Sequence, residues 1–246
     1  MSQNTYIFKR IEKKYKITDR QRDELLQKIQ DRLMHDSHNE NTVCSLYLDT
    51  PTHLLIRNSI DAKVYKEKIR IRSYGAPEET GQVFLELKKK FKGTVYKRRI
   101  CLTLKEAEEY VYKGAKPFES QIMSEIDYAM KFYDYPKPAM LIAYEREAFY
   151  AKGSPDLRLT FDSNIRYRDS NLDMKLGTAG KCILPEGMSI LEIKADGAMP
   201  IWLADSLDEC NILPTSFSKY ATSYRELLSG SGQINCKGGY KNVCNF

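Results

Sequence analysis

Residues 66–72 have the sequence KEKIRIR, in which basic side chains recur at every second position. Successive side chains of a β-strand point to opposite faces, so the basic residues would share one face. Arginine and lysine bind phosphate oxygens through charge-assisted hydrogen bonds. The pattern therefore predicts a strand with a row of phosphate-binding groups, called the basic row below: Lys66, Lys68, Arg70 and Arg72. A solvated strand face is the plain alternative.

Other candidate strands also place charged or polar side chains on one face. These are Arg10, Glu12 and Lys14; Glu86 and Lys88; Lys97 and Arg99; Tyr144 and Arg146; Arg158, Thr160 and Asp162; and Glu192 and Lys194. Several one-sided strands together predict a closed sheet with a cationic interior. Such an interior must hold water and a polyanion, because an unpaired charge in a dry core is costly.

Carboxylates occur among these cations at Glu12, Glu86, Asp162 and Glu192. Carboxylates beside phosphates can hold a divalent metal that bridges phosphate oxygens. Ion pairing with a basic neighbour is the alternative, and it is the favoured interpretation of Glu12 and Glu86. Phosphoryl transfer needs positioning and charge neutralisation more than a covalent nucleophile, so this mixture makes an enzyme plausible. The sequence has no glycine-rich phosphate loop, so nucleotide binding would depend on side chains.

Size and composition set broad limits. The chain has 246 residues with a net charge of +6, which suits one large domain with an anionic partner. It has no apolar run long enough to span a membrane, and its start lacks the build of a secretory signal. The six cysteines show no C-x-x-C spacing, which argues against a zinc site. We therefore expect reduced thiols and a cytoplasmic location.

Periodicity and turn residues predict an α+β protein in one domain, residues 1–228, followed by a flexible tail, residues 229–246. The predicted strands are Tyr6–Ile17, Thr42–Asp49, residues 62–74, Val83–Lys90, Thr94–Leu102, Ala139–Tyr150, Asp156–Ile165 and Ser189–Ala195. The predicted helices are Thr18–Met34, His53–Ser59, Thr103–Lys113, Ser120–Phe132, Met199–Asp208 and Lys219–Leu228. The one-sided charge favours an eight-stranded antiparallel barrel with flanking helices, and an open sheet is the alternative.

Several segments, taken in chain order, resemble the VTC domain, the polyphosphate polymerase domain of the triphosphate tunnel metalloenzyme superfamily. They are Phe8-x-Arg10-x-Glu12-x-Lys14-Tyr15, Ser45-Leu46-Tyr47-Leu48-Asp49-Thr50, Lys68-x-Arg70-x-Arg72-x-Tyr74, Glu86-x-Lys88 with Lys97-x-Arg99, Tyr144-Glu145-Arg146-x-Ala148-Phe149, Leu191-Glu192-Ile193-Lys194 and Phe217-Ser218-Lys219-Tyr220. The resemblance covers about residues 5–228. It is to the stand-alone bacterial type of this domain.

The resemblance implies a tunnel in which ATP is the donor and inorganic polyphosphate is the product. Manganese or magnesium would be the cofactor, with Glu192 as its ligand. Catalytic charge neutralisation would come from Arg70, Arg72, Lys88 and Arg146. Phosphate contacts would come from Arg10, Lys14, Lys68, Lys97, Arg99, Tyr144, Arg158 and Lys219. The family pattern has a second lysine three residues before Lys219, where this chain has Ser216, which predicts a weaker hold on the product there.

Two other functions stay open at this point. A triphosphatase would use the same tunnel but transfer the phosphoryl group of ATP or inorganic triphosphate to water. A non-catalytic polyphosphate-binding module would need the cations alone. We expect no nucleic-acid partner, because the basic strands carry few interleaved aromatic residues that could stack bases. We also expect no direct membrane insertion, and a membrane-protein partner stays unknown.

Overall fold

The computed structural model describes residues 10–230, except the side chains of Arg10 and of residues 37–40. The strands are β1 (Arg10–Thr18), β2 (Leu33–Asp49), β3 (Tyr65–Tyr74), β4 (Gln82–Phe91), β5 (Thr94–Thr103), β6 (Lys137–Ala151), β7 (Ser154–Arg168), β8 (Lys181–Cys182), β9 (Met188–Asp196) and β10 (Pro214–Thr215). The α-helices are α1 (Asp19–Ile29), α2 (Leu54–Asp61), α3 (Leu104–Lys113), α4 (Gln121–Phe132), α5 (Ile201–Glu209) and α6 (Lys219–Ser229). Short 3₁₀ turns lie at Gln30–Arg32 and Met174–Leu176.

All the strand pairs are antiparallel, and the strands form a single sheet in the order β10-β1-β9-β7-β6-β2-β3-β4-β5, with β8 paired to β7. The predicted α+β class with a large antiparallel sheet is therefore confirmed. The predicted eight-stranded barrel is wrong, because the sheet formed by residues 10–230 has ten strands and is open. Within the described residues, β5 and β10 are its edges and no backbone pairing joins them.

The sheet nevertheless curls strongly. Lys88 on β4 forms an ion pair of 3.9 Å with Glu12 on β1, although these two strands are far apart in the strand order. Side chains thus meet across the sheet where a barrel would have a backbone ladder. One-sided charge predicted the curvature correctly, but it carries no information about which strands pair at the edges.

The apolar cores lie mainly on the face opposite the basic row. Ile69, Ile71 and Leu85 on β3 and β4 pack against α3 and α4 in one buried cluster. A second cluster joins the outer side chains of β1, β7 and β9 to α1 and α5, and it includes Leu159 and Leu191. Because helices cover this outer face, the charged face of the sheet is left to line an interior space.

Helices α2 and α6 cover part of the charged face. Asp49, at the end of β2, fixes both helices. Its carboxylate accepts hydrogen bonds from the backbone N–H groups of Leu55 and Ile56, at 2.9 and 3.0 Å, and from the Tyr220 hydroxyl at 2.8 Å. This carboxylate has a neutral set of donors and is 2% exposed. The start of α6, which carries Lys219, is thereby held against the sheet.

Local signals set the helix starts well and one helix end poorly. Capping boxes at Thr18 and Thr103 begin α1 and α3, as the sequence predicts. The first helix ends at Ile29, before the predicted Met34. Residues 35–41, which fall between the predicted helix and the predicted strand Thr42–Asp49, lie in β2. This part of β2 pairs with β6 through an irregular register between His35 and Glu40.

Three remaining expectations concern the chain as a whole. Ser229 belongs to α6, and residues 231–246 of the predicted tail lie outside the described residues. Cys44, Cys101 and Cys210 are free thiols, whereas Cys182 is disulfide-bonded, so the expectation of reduced cysteines is wrong at that residue. Among residues 10–230, none of the helices has the length and apolar character needed to cross a membrane.

Candidate phosphate-binding site

The charged face of the sheet and the start of α6 enclose a pocket of about 410 Å³. Eleven basic residues and two carboxylates line it, together with hydroxyl and a few apolar groups. The basic residues are Lys14, Lys66, Lys68, Arg70, Arg72, Lys88, Lys90, Arg146, Lys194, Lys219 and Arg225, and the acidic ones are Glu12 and Glu192. The structure thus brings the basic row together with cations from β1, β4, β6, β9 and α6. The plain alternative of a solvated outer face does not hold.

Arg72 is a buried cation of the site whose hydrogen-bond partners are neutral. Its side chain donates to the Ser45 hydroxyl at 3.2 Å and to the Tyr144 hydroxyl at 3.3 Å. Only 9% of the residue is exposed, and no carboxylate among the described residues forms an ion pair with it. Burying a cation whose hydrogen-bond partners are neutral is costly, and an anion bound beside Arg72 would reduce that cost.

Lys68 is also a partly buried cation without a carboxylate partner among the described residues. Its ammonium donates to the Ser218 hydroxyl at 3.2 Å. Burial, reinforced by the nearby charges of Lys88 and Lys14, lowers the pKa of Lys68 to about 8. Burial would raise the pKa of Tyr47, but neighbouring cations, Arg70 first among them, lower it to about 8. The lowered pKa of Tyr47 reflects the surrounding positive charge, whereas that of Lys68 reflects burial first and neighbouring cations second.

Arg70, by contrast, is held in place by partners on two neighbouring strands. Its Nε and Nη2 lie 2.8 and 2.7 Å from one oxygen of Glu86, and its Nη1 donates to the Tyr47 hydroxyl at 3.1 Å. Burial opposes ionisation of Glu86, yet the charges of Arg70 and Arg72 hold its pKa well below the ordinary value. Glu86 is therefore an ionised orienting group, in line with its favoured interpretation.

Two more predicted cations converge on Asp162 of β7. Arg146 of β6 contacts both carboxylate oxygens of Asp162, at 2.6 and 2.7 Å, and Lys219 of α6 contacts the second oxygen. The same two cations lie over the Tyr144 ring, at 5.2 and 4.3 Å from its centroid. Burial opposes ionisation, but Lys219 and Arg146 keep the pKa of Asp162 below its ordinary value. Asp162 thus orients two groups that are predicted to bind phosphate.

Glu192 is the carboxylate best placed to meet a metal ion. It lies 3.4 Å from the Lys14 ammonium, which is also 3.4 Å from Glu12, and it contacts Lys194. Burial opposes its ionisation, but the charges of Lys194 and Lys14 hold its pKa below the ordinary value. Glu192 is therefore an ionised oxygen donor inside the pocket.

The donor set decides what kind of metal site is possible. The described residues contain no group of three or more acidic, histidine or cysteine ligands. Magnesium and manganese in phosphoryl-transfer sites are commonly held by one or two carboxylates together with substrate phosphates and water. Glu192, with Glu12 on the other side of Lys14, fits that arrangement. The remaining ligands of a metal ion at this position would have to be phosphate oxygens and water.

Some predicted residues lie beside the pocket or outside it. Lys97 and Arg99 do not line it but contact Glu86, at 2.8 and 2.6 Å. Arg158 is not brought to the pocket, because its half-exposed side chain pairs with Asp36 at 2.6 Å. The backbone of Arg10 lies in β1, but its side chain is outside the described part of the structure.

Other lining residues were not predicted as site residues. Tyr47 and Ser218 lie within segments that carry the family resemblance, so their positions were available as a signal. Lys90 lies at the end of a predicted strand, where a lysine is usually solvated, yet it lines the pocket. Arg225 reaches the pocket from α6, and no local sequence pattern distinguishes it from a surface arginine.

Sequence comparison agrees with this geometry. The family model of the VTC domain matches residues 9–228. The chain therefore belongs to the VTC domain family, and the resemblance inferred from its motifs is confirmed. No curated protein sequence gives a significant match.

Solved structures show the same fold at low sequence identity. A Bacillus halodurans protein, provisionally described as an adenylate cyclase, has a TM-score of 0.51 and 13% identity over 85% of this chain and 92% of its own. A Hippeastrum protein, provisionally described as an adenylyl cyclase and reported to have a dominant triphosphatase activity, has a TM-score of 0.51 and 15% identity over 89% of this chain and 96% of its own. The likeness concerns the fold alone.

Proposed function

We propose that the protein is an ATP-dependent polyphosphate polymerase, a metal-dependent phosphotransferase that works inside the basic pocket. The observation that carries this proposal is the pair of cations Arg72 and Lys68, which lack a carboxylate partner among the described residues and face the same cavity. A linear polyanion that lies along the charged face would compensate both of them. Membership of the VTC domain family supports the choice of phosphates as that anion.

The transfer needs positioned cations and no covalent intermediate. A terminal oxygen of the acceptor phosphate attacks the γ-phosphorus of ATP, the bond from that phosphorus to the β–γ bridging oxygen breaks, and ADP leaves. Arg70 and Arg72 grip the triphosphate, while Lys88 and Arg146 neutralise charge on the transferred group. Because the acceptor phosphate is already ionised, the residues need not remove a proton. A cytoplasmic location suits the ATP donor.

Glu192 would hold the divalent cofactor, with Mn²⁺ or Mg²⁺ as the candidates. Such an ion, when bound, would supply positive charge that stabilises the phosphoryl group during transfer. Lys14 and Lys194 lie against Glu192 and would keep it ionised and oriented toward the pocket. Glu192→Gln is therefore expected to abolish turnover while binding of inorganic tripolyphosphate persists. Retained turnover would contradict the metal role.

The decisive experiment is product analysis of the full chain after incubation with ATP and Mn²⁺ or Mg²⁺. Long phosphate chains support the polymerase. Phosphate or pyrophosphate alone would replace it with a triphosphatase. Polyanion binding that persists in EDTA, with no ATP consumed under either metal, would replace it with a binding module.

Variants of pocket residues test whether chain synthesis takes place in the pocket. The double variant Arg70→Ala, Arg72→Ala should lose chain synthesis, because it removes the grip on the triphosphate. Arg98→Ala is the matched control, since Arg98 lies on the opposite face of β5 from Arg99 and pairs with Glu125 of α4 at 2.6 Å. The control should synthesise chains at the wild-type rate. If both variants keep activity, the pocket is not the site of synthesis.

A further inference from the structure

Beyond Arg72, the charged face of the sheet ends in an aromatic shelf made of Tyr74, Phe84 and Arg99. The Tyr74 and Phe84 rings meet edge to face, with centroids 6.0 Å apart and an interplanar angle of 73°. The Arg99 guanidinium lies over Phe84 at 4.4 Å from its centroid. A hydrogen bond from Arg99 holds the pKa of Tyr74 below its ordinary value, although burial raises it. The three side chains thus form one connected surface.

The opposite end of the same strands has a different character. There Lys66 lies across from Lys90, which in turn lies across from Val95. Arg225 of α6 joins the two lysines in lining the pocket at that end. This end therefore has cations and an aliphatic side chain, whereas the other end has the aromatic rings of Tyr74 and Phe84. The two ends of the charged face therefore suit different chemical groups.

We propose that the aromatic shelf binds the nucleobase of the donor ATP, so that the adenosine lies at the Tyr74 end and the phosphate chain extends toward Lys66, Lys90 and Arg225. This inference rests on the proposed use of ATP. Nucleic bases stack on aromatic and guanidinium planes with useful affinity. Half of the Tyr74 surface is exposed, which leaves the residue accessible to a base.

The spacing along β3 agrees with this placement. A strand rises about 3.3 Å per residue, so Tyr74 lies about 7 Å beyond Arg72 on the same face. A ribose can span that separation when the phosphates of ATP contact Arg70 and Arg72. The phosphates of the acceptor chain, which follow the γ-phosphate of ATP along the strand, would then contact Lys68 and Lys66. The donor and the growing chain are thereby assigned to opposite ends of one charged face.

The test compares a ligand that has a nucleoside with one that lacks it. Calorimetric titrations would measure the affinity of AMP-PNP and of inorganic tripolyphosphate for the wild type, Tyr74→Ala and Tyr74→Phe. Tyr74→Ala should weaken AMP-PNP binding about 5- to 100-fold, while tripolyphosphate binding stays within about twofold. Tyr74→Phe should keep both affinities, because it keeps the ring. Tyr128→Ala is the matched control, since Tyr128 is 67% exposed on α4.

Equal weakening of both ligands by Tyr74→Ala, or no weakening of AMP-PNP, would overturn the shelf assignment. Unchanged tripolyphosphate binding also shows that the variant is folded, so a folding defect cannot imitate the result.

A second measurement uses a thiol that the fold places beside the shelf. Cys101 is a free, exposed cysteine and lies directly across from Phe84 in the β4–β5 register. Alkylation at Cys101, followed by peptide mass spectrometry, should be slowed by AMP-PNP and not by tripolyphosphate. Equal protection by both ligands would overturn the assignment.

These measurements can refute the shelf assignment and the proposed function independently of each other. Nucleotide-specific protection without polyphosphate synthesis would refute the polymerase and leave the shelf. Synthesis without nucleotide-specific protection would refute the shelf and leave the polymerase.

Discussion

Replacing Asp162 by asparagine tests whether bound phosphate substitutes for a buried counter-ion. Asp162 is fully buried and bonded to both Arg146 and Lys219. Asp162→Asn keeps the shape of the side chain but removes its charge, so two cations lose their common partner. We expect the free protein to be destabilised and its response to polyphosphate to increase.

The structure sets the size of this effect. Breaking a buried ion pair by removing one partner costs about 3–5 kcal/mol. The side chains of Arg146 and Lys219 are 18% and 15% exposed, so water screens part of the unbalanced charge. We therefore expect the lower end of the range, about 3 kcal/mol. For a domain of this length, that loss corresponds to a fall in Tm of about 6–12 °C.

The assay is urea unfolding of the wild type and Asp162→Asn, each with and without inorganic tripolyphosphate. The ligand should stabilise the variant by more than it stabilises the wild type, because its oxygens replace the lost carboxylate. Glu24→Gln removes the exposed pair between Arg20 and Glu24 and should leave the unfolding midpoint unchanged. A variant as stable as the wild type, or a variant that gains no extra stability from the ligand, would refute the counter-ion reasoning.

Three further predictions concern protonation, the α6 anchor and the metal. The pKa of Lys68 is lowered to about 8, so raising the pH from 7 to 9 removes its positive charge and should weaken tripolyphosphate binding relative to Lys68→Arg, and parallel pH profiles would contradict this. Asp49→Ala leaves buried donors unpaired and should cost at least about 3 kcal/mol in urea unfolding, whereas Tyr220→Phe, which loses one hydrogen bond, should cost about 1 kcal/mol. Chelation with EDTA should stop turnover but not tripolyphosphate binding, and turnover in EDTA would exclude a metal role.

Local patterns predicted the parts of the fold that local chemistry determines. The basic row and the β4–β5 hairpin follow from period-2 alternation and from the tight turn at Lys92-Gly93, where both residues have positive φ. Such local patterns do not determine which strands pair when the strands are distant in the sequence. The edges of the sheet, and the assignment of residues 35–41 to β2, depend on partners that are distant in the sequence.

The same distinction applies to the candidate site. The shared face of Arg70 and Arg72 was predictable, because a strand fixes which side each residue takes. The bridging role of Asp162 was not predictable. It depends on Lys219 of α6, which is distant from Asp162 in the sequence and contacts it only in the folded structure. Arg158 failed to reach the pocket for a related reason, because Asp36 of β2 pairs with it outside.

The distribution of charge between the pocket and the rest of the molecule would affect the rate at which a polyanion associates with the pocket. The residues that line the pocket carry nine more positive than negative charges, which exceeds the +6 of the entire chain. The remaining residues therefore have a net charge of −3, and buried carboxylates such as Asp49, Glu86 and Asp162 account for it, so the outer surface is close to neutral. Positive charge is thus concentrated at the pocket, which would draw a polyanion there in preference to the outer surface and would make the association rate fall steeply with ionic strength.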